Sequence, residues 1–219
     1  MSQGAASPPG AKKRDYWFTV LATDPVALPM VRWLTKHRWL SPDGVTVVAL
    51  ALGLAVGILF ATGTRAGLVA GSITFYLAFV FDCIDGKLAR ALSVTSARGE
   101  ALDHLADGGR RASAVMGLAV YLWRTEGDVS IFYAIVYMVL SYYFLEISGA
   151  ERGEPGAGIG GRVNQALAKR RLLPNPGMPD VQAIAFILGP ITGLVTVGLG
   201  AGIAMVTVAI LLTVYRRLR

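Results

Sequence analysis

Long apolar runs constrain this chain more than any other feature. Stretches of about 17 to 25 apolar residues are long enough to cross a bilayer as helices, and a water-soluble fold has few places to bury them. Reading the 219 residues this way gives six spans: Val45 to Thr62, Leu68 to Phe81, Leu102 to Trp123, Ile131 to Ile147, Val181 to Val197 and Ala201 to Val214. The expected fold class is an all-α integral membrane protein of six transmembrane helices. Gly198, Leu199 and Gly200 are the expected turn between the last two spans, because glycine tolerates backbone angles that other residues resist. The second span runs directly into Asp82, Asp85 and Lys87, so one helix is expected to leave the membrane still helical and continue to about Arg90.

Composition agrees: 54% of residues are hydrophobic, 16% are charged, and the mean hydropathy is +0.54. These values exclude a disordered chain. The net charge of +7 does not indicate nucleic acid, because the charges flank apolar segments. Of 21 Lys and Arg, all but Arg65 and Arg124 fall before the first span, after the second and fourth, or at the end. By the positive-inside rule both termini are cytoplasmic, as an even number of spans also requires, and a bacterial plasma membrane is the expected location. The single Cys83 excludes an intramolecular disulfide framework and a cysteine-based zinc site.

Three regions are expected along the chain. Residues 1–14 are small, polar and Pro-rich, end in Lys12, Lys13 and Arg14, and read as a disordered basic N-terminus without signal-peptide form. Residues 15–42 form a juxtamembrane amphipathic segment. In it Ala27, Met30, Val31 and Leu34 fall at helical spacing, with Trp33 and Trp39 as interface anchors, so a surface helix is expected. Residues 43–219 are the membrane domain.

The chemistry is concentrated between Phe81 and Asp107. Asp82 and Asp85 stand at i, i+3 on the end of one helix, and Asp103 and Asp107 at i, i+4 on the start of the next, so each pair shares a helix face. Four converging carboxylates repel one another unless positive charge lies among them. Hard divalent cations, Mg²⁺ or Mn²⁺, are the natural partners, and two ions suit four carboxylates. Gly86 leaves backbone accessible, Ala89 keeps the same face small, Arg90 offers a planar fork to phosphate oxygens, and Gly99 precedes the next helix. A small cation transporter is the competing class for four membrane aspartates. It is disfavoured because these lie at a helix end beside Arg90, Arg110 and Arg111, without repeated halves.

The eight residues Asp82, Asp85, Gly86, Ala89, Arg90, Gly99, Asp103 and Asp107 make the pattern D-x2-D-G-x2-A-R-x8-G-x3-D-x3-D, which resembles the signature of the CDP-alcohol phosphotransferases. Ser41, Pro42, Asp43, Gly44, Val45 and Thr46 are similar to that family's approach to its first span. The resemblance implies attack of an acceptor hydroxyl on the β-phosphorus of a CDP-linked alcohol, with CMP leaving. It makes Asp82, Asp85 and Asp103 metal ligands and Asp107 a general base that also lies against a metal. Asp85, Gly86, Ala89, Arg90 and Gly99 would line the CDP site, with Asp43 and Thr46 reaching it from the first span. It also implies a homodimer. CDP-diacylglycerol is the expected donor and a polar alcohol such as inositol phosphate or glycerol phosphate the acceptor; the alternative is a polar donor such as CDP-inositol. In the actinobacterial phosphatidylinositol phosphate synthases, which the chain loosely resembles, basic residues of the fourth loop hold the acceptor phosphate. Arg152, Arg162, Lys169 and Arg170 are therefore candidate acceptor contacts, although the loop does not align with that pattern.

The sequence departs from the family in one further respect. Many relatives follow the last aspartate directly with arginine, whereas here Gly108 and Gly109 separate Asp107 from Arg110. His104 and Cys83 are one position off the aspartate faces and read as packing or solvated residues. Lys87 is open between a phosphate contact and a lysine reaching for water, and Glu146 between an ion pair and a site wall. Tyr142, Tyr143 and Phe144 read as an interface aromatic belt.

Overall fold

The computed structural model describes residues 10–149 and 161–218, with no side-chain account at 149 and 161–163. Its helices are α1 (Asp24–His37), α2 (Pro42–Ala61), α3 (Arg65–Leu92), α4 (Ala97–Glu126), α5 (Ile131–Gly149), α6 (Gly161–Lys169), α7 (Met178–Thr192) and α8 (Val195–Arg217). Among the described residues no strand forms beyond a single bridge between Asp15 and Leu172. Four helices, α2, α3, α5 with its leading turn, and α8, are long and apolar enough to cross a membrane.

Helices α2, α3 and α4 begin in the same way. Ser41, Thr64 and Ser96 lie in extended backbone, and each side-chain oxygen accepts a hydrogen bond from the N–H three residues on, at Gly44, Gly67 and Gly99. Each cap satisfies a donor that the helix leaves unpaired. As the sequence suggested, α3 passes through Asp82 and Asp85 without a break and ends at Leu92, where Ser93 turns left-handed.

Helix α2 packs closely against α4 through glycines. A Cβ on Gly57 would lie 2.4 Å from the Ser113 carbonyl oxygen, and one on Gly117 would lie 2.4 Å from the Gly57 oxygen. Phe75 of α3, Tyr137 of α5 and Phe186 of α7 stack in the core, with ring centroids 5.0 and 5.2 Å from Phe186. At the two sparsely charged turns, Arg124 donates to the Ala61 carbonyl at the end of α2 (2.7 Å), and Arg65 donates to the Pro190 carbonyl (2.6 Å) and to that of Ile191 at the end of α7.

Two expectations change. The turn between the last two helices is at Gly193, in positive φ, and Leu194, while Gly198, Leu199 and Gly200 lie inside α8. The glycine there serves contact rather than turning: a Cβ on Gly198 would come within 2.7 Å of the Gly189 Cα on the facing helix. In α1, Ala27, Val31 and Leu34 are buried against Val80, Ile84 and Leu88 of α3, so the apolar stripe faces the bundle. Trp33 and Trp39 remain exposed. The helical path into α1 begins at Trp17 and carries a π-turn over Thr19–Thr23. That turn shifts the hydrogen-bond register immediately ahead of Pro25, whose ring and missing N–H an unbroken α-helix would not accommodate.

Residues 10–14, part of the segment expected to be disordered, are held against α3 and α6 by hydrogen bonds. Gly57→Val should overpack the α2–α4 seam and cost about 1–3 kcal/mol. Gly108→Ala, where a Cβ meets nothing within 4 Å, should not. Thermal midpoints of the two variants in detergent check this, and equal midpoints would count against the seam.

Candidate active site at the charged end of helices α2 to α4

A cavity of about 490 Å³ opens between the ends of α2, α3 and α4. It is lined by Asp43 and Thr46 of α2, by Asp85, Gly86, Ala89 and Arg90 of α3, and by Gly99 and Asp103 of α4. These are eight of the residues singled out from the sequence. Thr46 and Asp85 are buried, and the Thr46 hydroxyl donates to Asp85 Oδ2 at 2.6 Å. Glycine keeps the walls open, since a Cβ on Gly99 would stand 3.3 Å from Asp43 Oδ1 and one on Gly86 3.3 Å from an Arg90 guanidinium nitrogen. Asp43 also pairs with exposed Arg98 at 3.8 Å.

Asp82 and Asp107 do not line this cavity. Between them lies Arg110, 1% exposed, paired to Asp82 Oδ1 through Nη1 (3.3 Å) and to Asp107 through Nη2. Its guanidinium also lies 5.6 and 5.1 Å from the ring centres of Phe75 and Phe79. Arg111 holds the other Asp107 oxygen at 2.6 Å and rests 5.7 Å from the Tyr142 ring centre, so that tyrosine is a partner of the site rather than only part of an aromatic belt. Sequence reading left the role of Arg110 open. On a helix it follows Asp107 by three residues, on the same face, and that spacing was the available signal.

The donor set is of the kind a hard divalent cation takes, carboxylate oxygens only, with Asp82 Oδ1 already paired to Arg110. Among the described residues no group of three or more acidic, imidazole or thiol side chains is drawn together tightly enough to enclose an ion. Arg110 supplies the positive charge between Asp82 and Asp107 instead.

A second cavity of about 680 Å³ reaches Asp107 from the other side. Asp107, Arg111, Tyr16 and Gln182 form its polar end, and Met178, Val181, Met205, Val206, Val208 and Leu212 contribute an apolar flank. Gln182 is buried with an unpartnered Oε1. Burial, with Asp15 and Asp180 nearby, pushes the Tyr16 hydroxyl up, so it stays protonated and able to donate at neutral pH.

The remaining sequence candidates are scattered. Lys169 and Arg170 are exposed and line neither cavity. Arg152 lies outside the described residues, as does the side chain of Arg162. Lys87 takes neither role open to it: it is buried, 3.2 Å from Asp24 Oδ1 of α1. His104 and Glu146 are exposed.

Residues 39–215 match the family described as CDP-alcohol phosphatidyltransferase. No curated protein matches the chain. Among solved structures it is similar to the Mycobacterium tuberculosis phosphatidylinositol phosphate synthase PgsA1 with CDP-DAG bound, at 18% identity and a TM-score of 0.65, covering 87% of this chain and 92% of that one. The same protein in complex with manganese and citrate matches at 19% identity and a TM-score of 0.57, over 87% and 88% of the two chains. Its apo form matches at 20% and 0.56, over 85% and 93%. At these identities the likeness is one of fold.

Arg110→Ala would leave the largely buried Asp82 without its cation and Asp107 with Arg111 alone, and should cost about 3–5 kcal/mol. Denaturation in detergent measures this, and a midpoint equal to wild type would contradict the bridging role.

Proposed function

The chain belongs to the CDP-alcohol phosphatidyltransferase family, and on that premise we propose that it transfers a phosphatidyl group from CDP-diacylglycerol to the hydroxyl of a polar acceptor, releasing CMP. The observation that carries this reading is a pair of cavities that divide the aspartate motif, a smaller one lined by Asp85, Arg90 and Asp103 and a larger one that reaches Asp107 beside an apolar flank. The nucleotide and diphosphate belong in the first, against Arg90 and the open backbone at Gly86 and Gly99. The apolar flank of the second suits acyl chains, which favours a lipid donor over CDP-inositol. The acceptor, inositol phosphate, glycerol phosphate or a similar alcohol, reaches Asp107 at the polar end.

In this mechanism Asp107 accepts the proton of the acceptor hydroxyl as its oxygen bonds to the β-phosphorus and the bond from that phosphorus to the CMP oxygen breaks. Arg110 and Arg111 fix the orientation of the Asp107 carboxylate. Arg90 holds phosphate oxygens. Asp82, Asp85, Asp103 and Asp107 would hold two divalent cations, Mg²⁺ or Mn²⁺, which when bound neutralise the diphosphate and the charge that develops as CMP leaves.

The same reading makes the protein an integral membrane enzyme of six spans, α2 to α5 with α7 and α8. Helix α1 lies at the cytoplasmic surface, and both termini and the active site face the cytoplasm of a bacterial plasma membrane. A homodimer is the expected assembly.

CMP release by the purified protein with Mg²⁺ and CDP-diacylglycerol tests the proposal, run across inositol phosphate, glycerol phosphate, serine, inositol and no acceptor, with CDP-inositol as the alternative donor. Release that depends on one acceptor supports it; release from CDP-inositol alone replaces the donor. Asp107→Asn should abolish turnover and leave donor binding largely intact, whereas Asp85→Asn should weaken donor binding. Normal turnover by Asp107→Asn removes the general-base assignment, and activity that survives thorough chelation removes the metals.

A further inference from the structure

The stretch from Gly10 to Asp15 crosses the charged end of α3. Gly10 has φ +77°, and a Cβ there would lie 2.2 Å from the Lys87 carbonyl oxygen, so only glycine lets the backbone pass this close. From that position the Gly10 carbonyl accepts a hydrogen bond from Arg90 Nε at 2.9 Å. Arg90 is the cation that lines the smaller cavity.

Two residues later the stretch is gripped by Arg171. Its Nε and Nη2 donate to the Lys12 carbonyl at 3.3 and 3.1 Å, and its Nη1 donates to Asp24 Oδ2 at 3.0 Å. Asp24 is buried and its other oxygen pairs with Lys87, two residues past Asp85 on α3. Backbone bonds run alongside: Asp15 N–H to the Arg171 carbonyl at 2.8 Å, and Leu173 N–H to the Asp15 carbonyl at 3.0 Å. Arg14 reaches the Asn164 backbone and side-chain oxygens at 2.7 and 2.9 Å.

Arg171 itself has φ +62°. A side chain with a Cβ holds the left-handed conformation only where surrounding contacts repay its strain. Here every nitrogen of the guanidinium is engaged, by Lys12 and by Asp24, and none is directed at a cavity.

We propose that Arg171 is a positioning residue for the donor cavity: through the strap of residues 10–15 it fixes the Arg90 guanidinium where a diphosphate binds. The inference rests on the donor-site reading above. It separates Arg171 from its exposed neighbours Lys169 and Arg170 and removes it from acceptor recognition. It also gives Gly10 a function at a distance from the chemistry, as the point where the strap touches α3.

The test breaks the same path at its two ends. Arg171→Gln removes the grip, and Gly10→Val lifts the strap from Lys87 without altering any cavity residue. Each should raise KM for CDP-diacylglycerol about tenfold, with kcat changed less than about twofold and the acceptor KM unchanged. The double variant should be no worse than the more affected single one, because both act through one contact. Arg171→Lys keeps a charge for Asp24 without the fork and should fall between. A rise in acceptor KM instead, or single effects that multiply in the double variant, overturns the inference.

Titration of the same proteins with CDP, which carries the diphosphate and no acceptor, separates this inference from the function beneath it. Weaker CDP binding by both single variants supports the positioning role whatever the natural donor. Equal CDP binding in all of them overturns that role alone, and a wild-type chain that does not bind CDP overturns the donor site and the strap together.

Discussion

A guanidinium buried among carboxylates in an apolar bundle is the interaction on which the arrangement depends. Arg110 joins Asp82 on α3 to Asp107 on α4 and lies over Phe75 and Phe79, so the ends of two helices are tied at the level of the acidic motif. Unpaired, each of these charges is costly in such surroundings. The glycines of α2 follow from it. A Cβ on Gly53 would approach Arg110 Cβ to 2.9 Å, so the helix bearing Asp43 and Thr46 reaches the site only because it presents no side chain there. Close packing, charge pairing and the walls of the smaller cavity are therefore one arrangement seen from three sides.

The two cavities divide the aspartates in a way helix faces alone do not reveal. Asp85 and Asp103 line the smaller one, Asp107 the larger one, and Asp82 neither, being paired with Arg110. On the proposed reading, the nucleotide end of the donor takes the first cavity and its hydrocarbon the apolar flank of the second.

Much of this could be read from the sequence, because a helix of known period fixes which residues share a face. The pairs Asp82 with Asp85 and Asp103 with Asp107 and the unbroken passage of α3 out of its apolar run follow from that rule; Gly86, Ala89 and Gly99 were legible from their residue types, and Asp43 and Thr46 through the family resemblance. What lay beyond reach was the partner across the gap. Lys87 was open between a phosphate contact and a lysine reaching for water and is buried on Asp24; Arg171, next in sequence to the exposed Lys169 and Arg170, grips the N-terminal strap. Gly198 failed for a related reason. A glycine needed for close helix contact and one needed for a turn look alike in sequence, and only the facing Gly189 tells them apart.

The contacts of Arg65 and Arg124 bear on how two helix ends are held. These are the two cations on the sparsely charged side, and each is hydrogen-bonded to carbonyls at the C-terminal end of a helix, where the aligned peptide dipoles leave partial negative charge. Removing either arginine would leave those carbonyls without that donor and loosen the end of α2 or of α7.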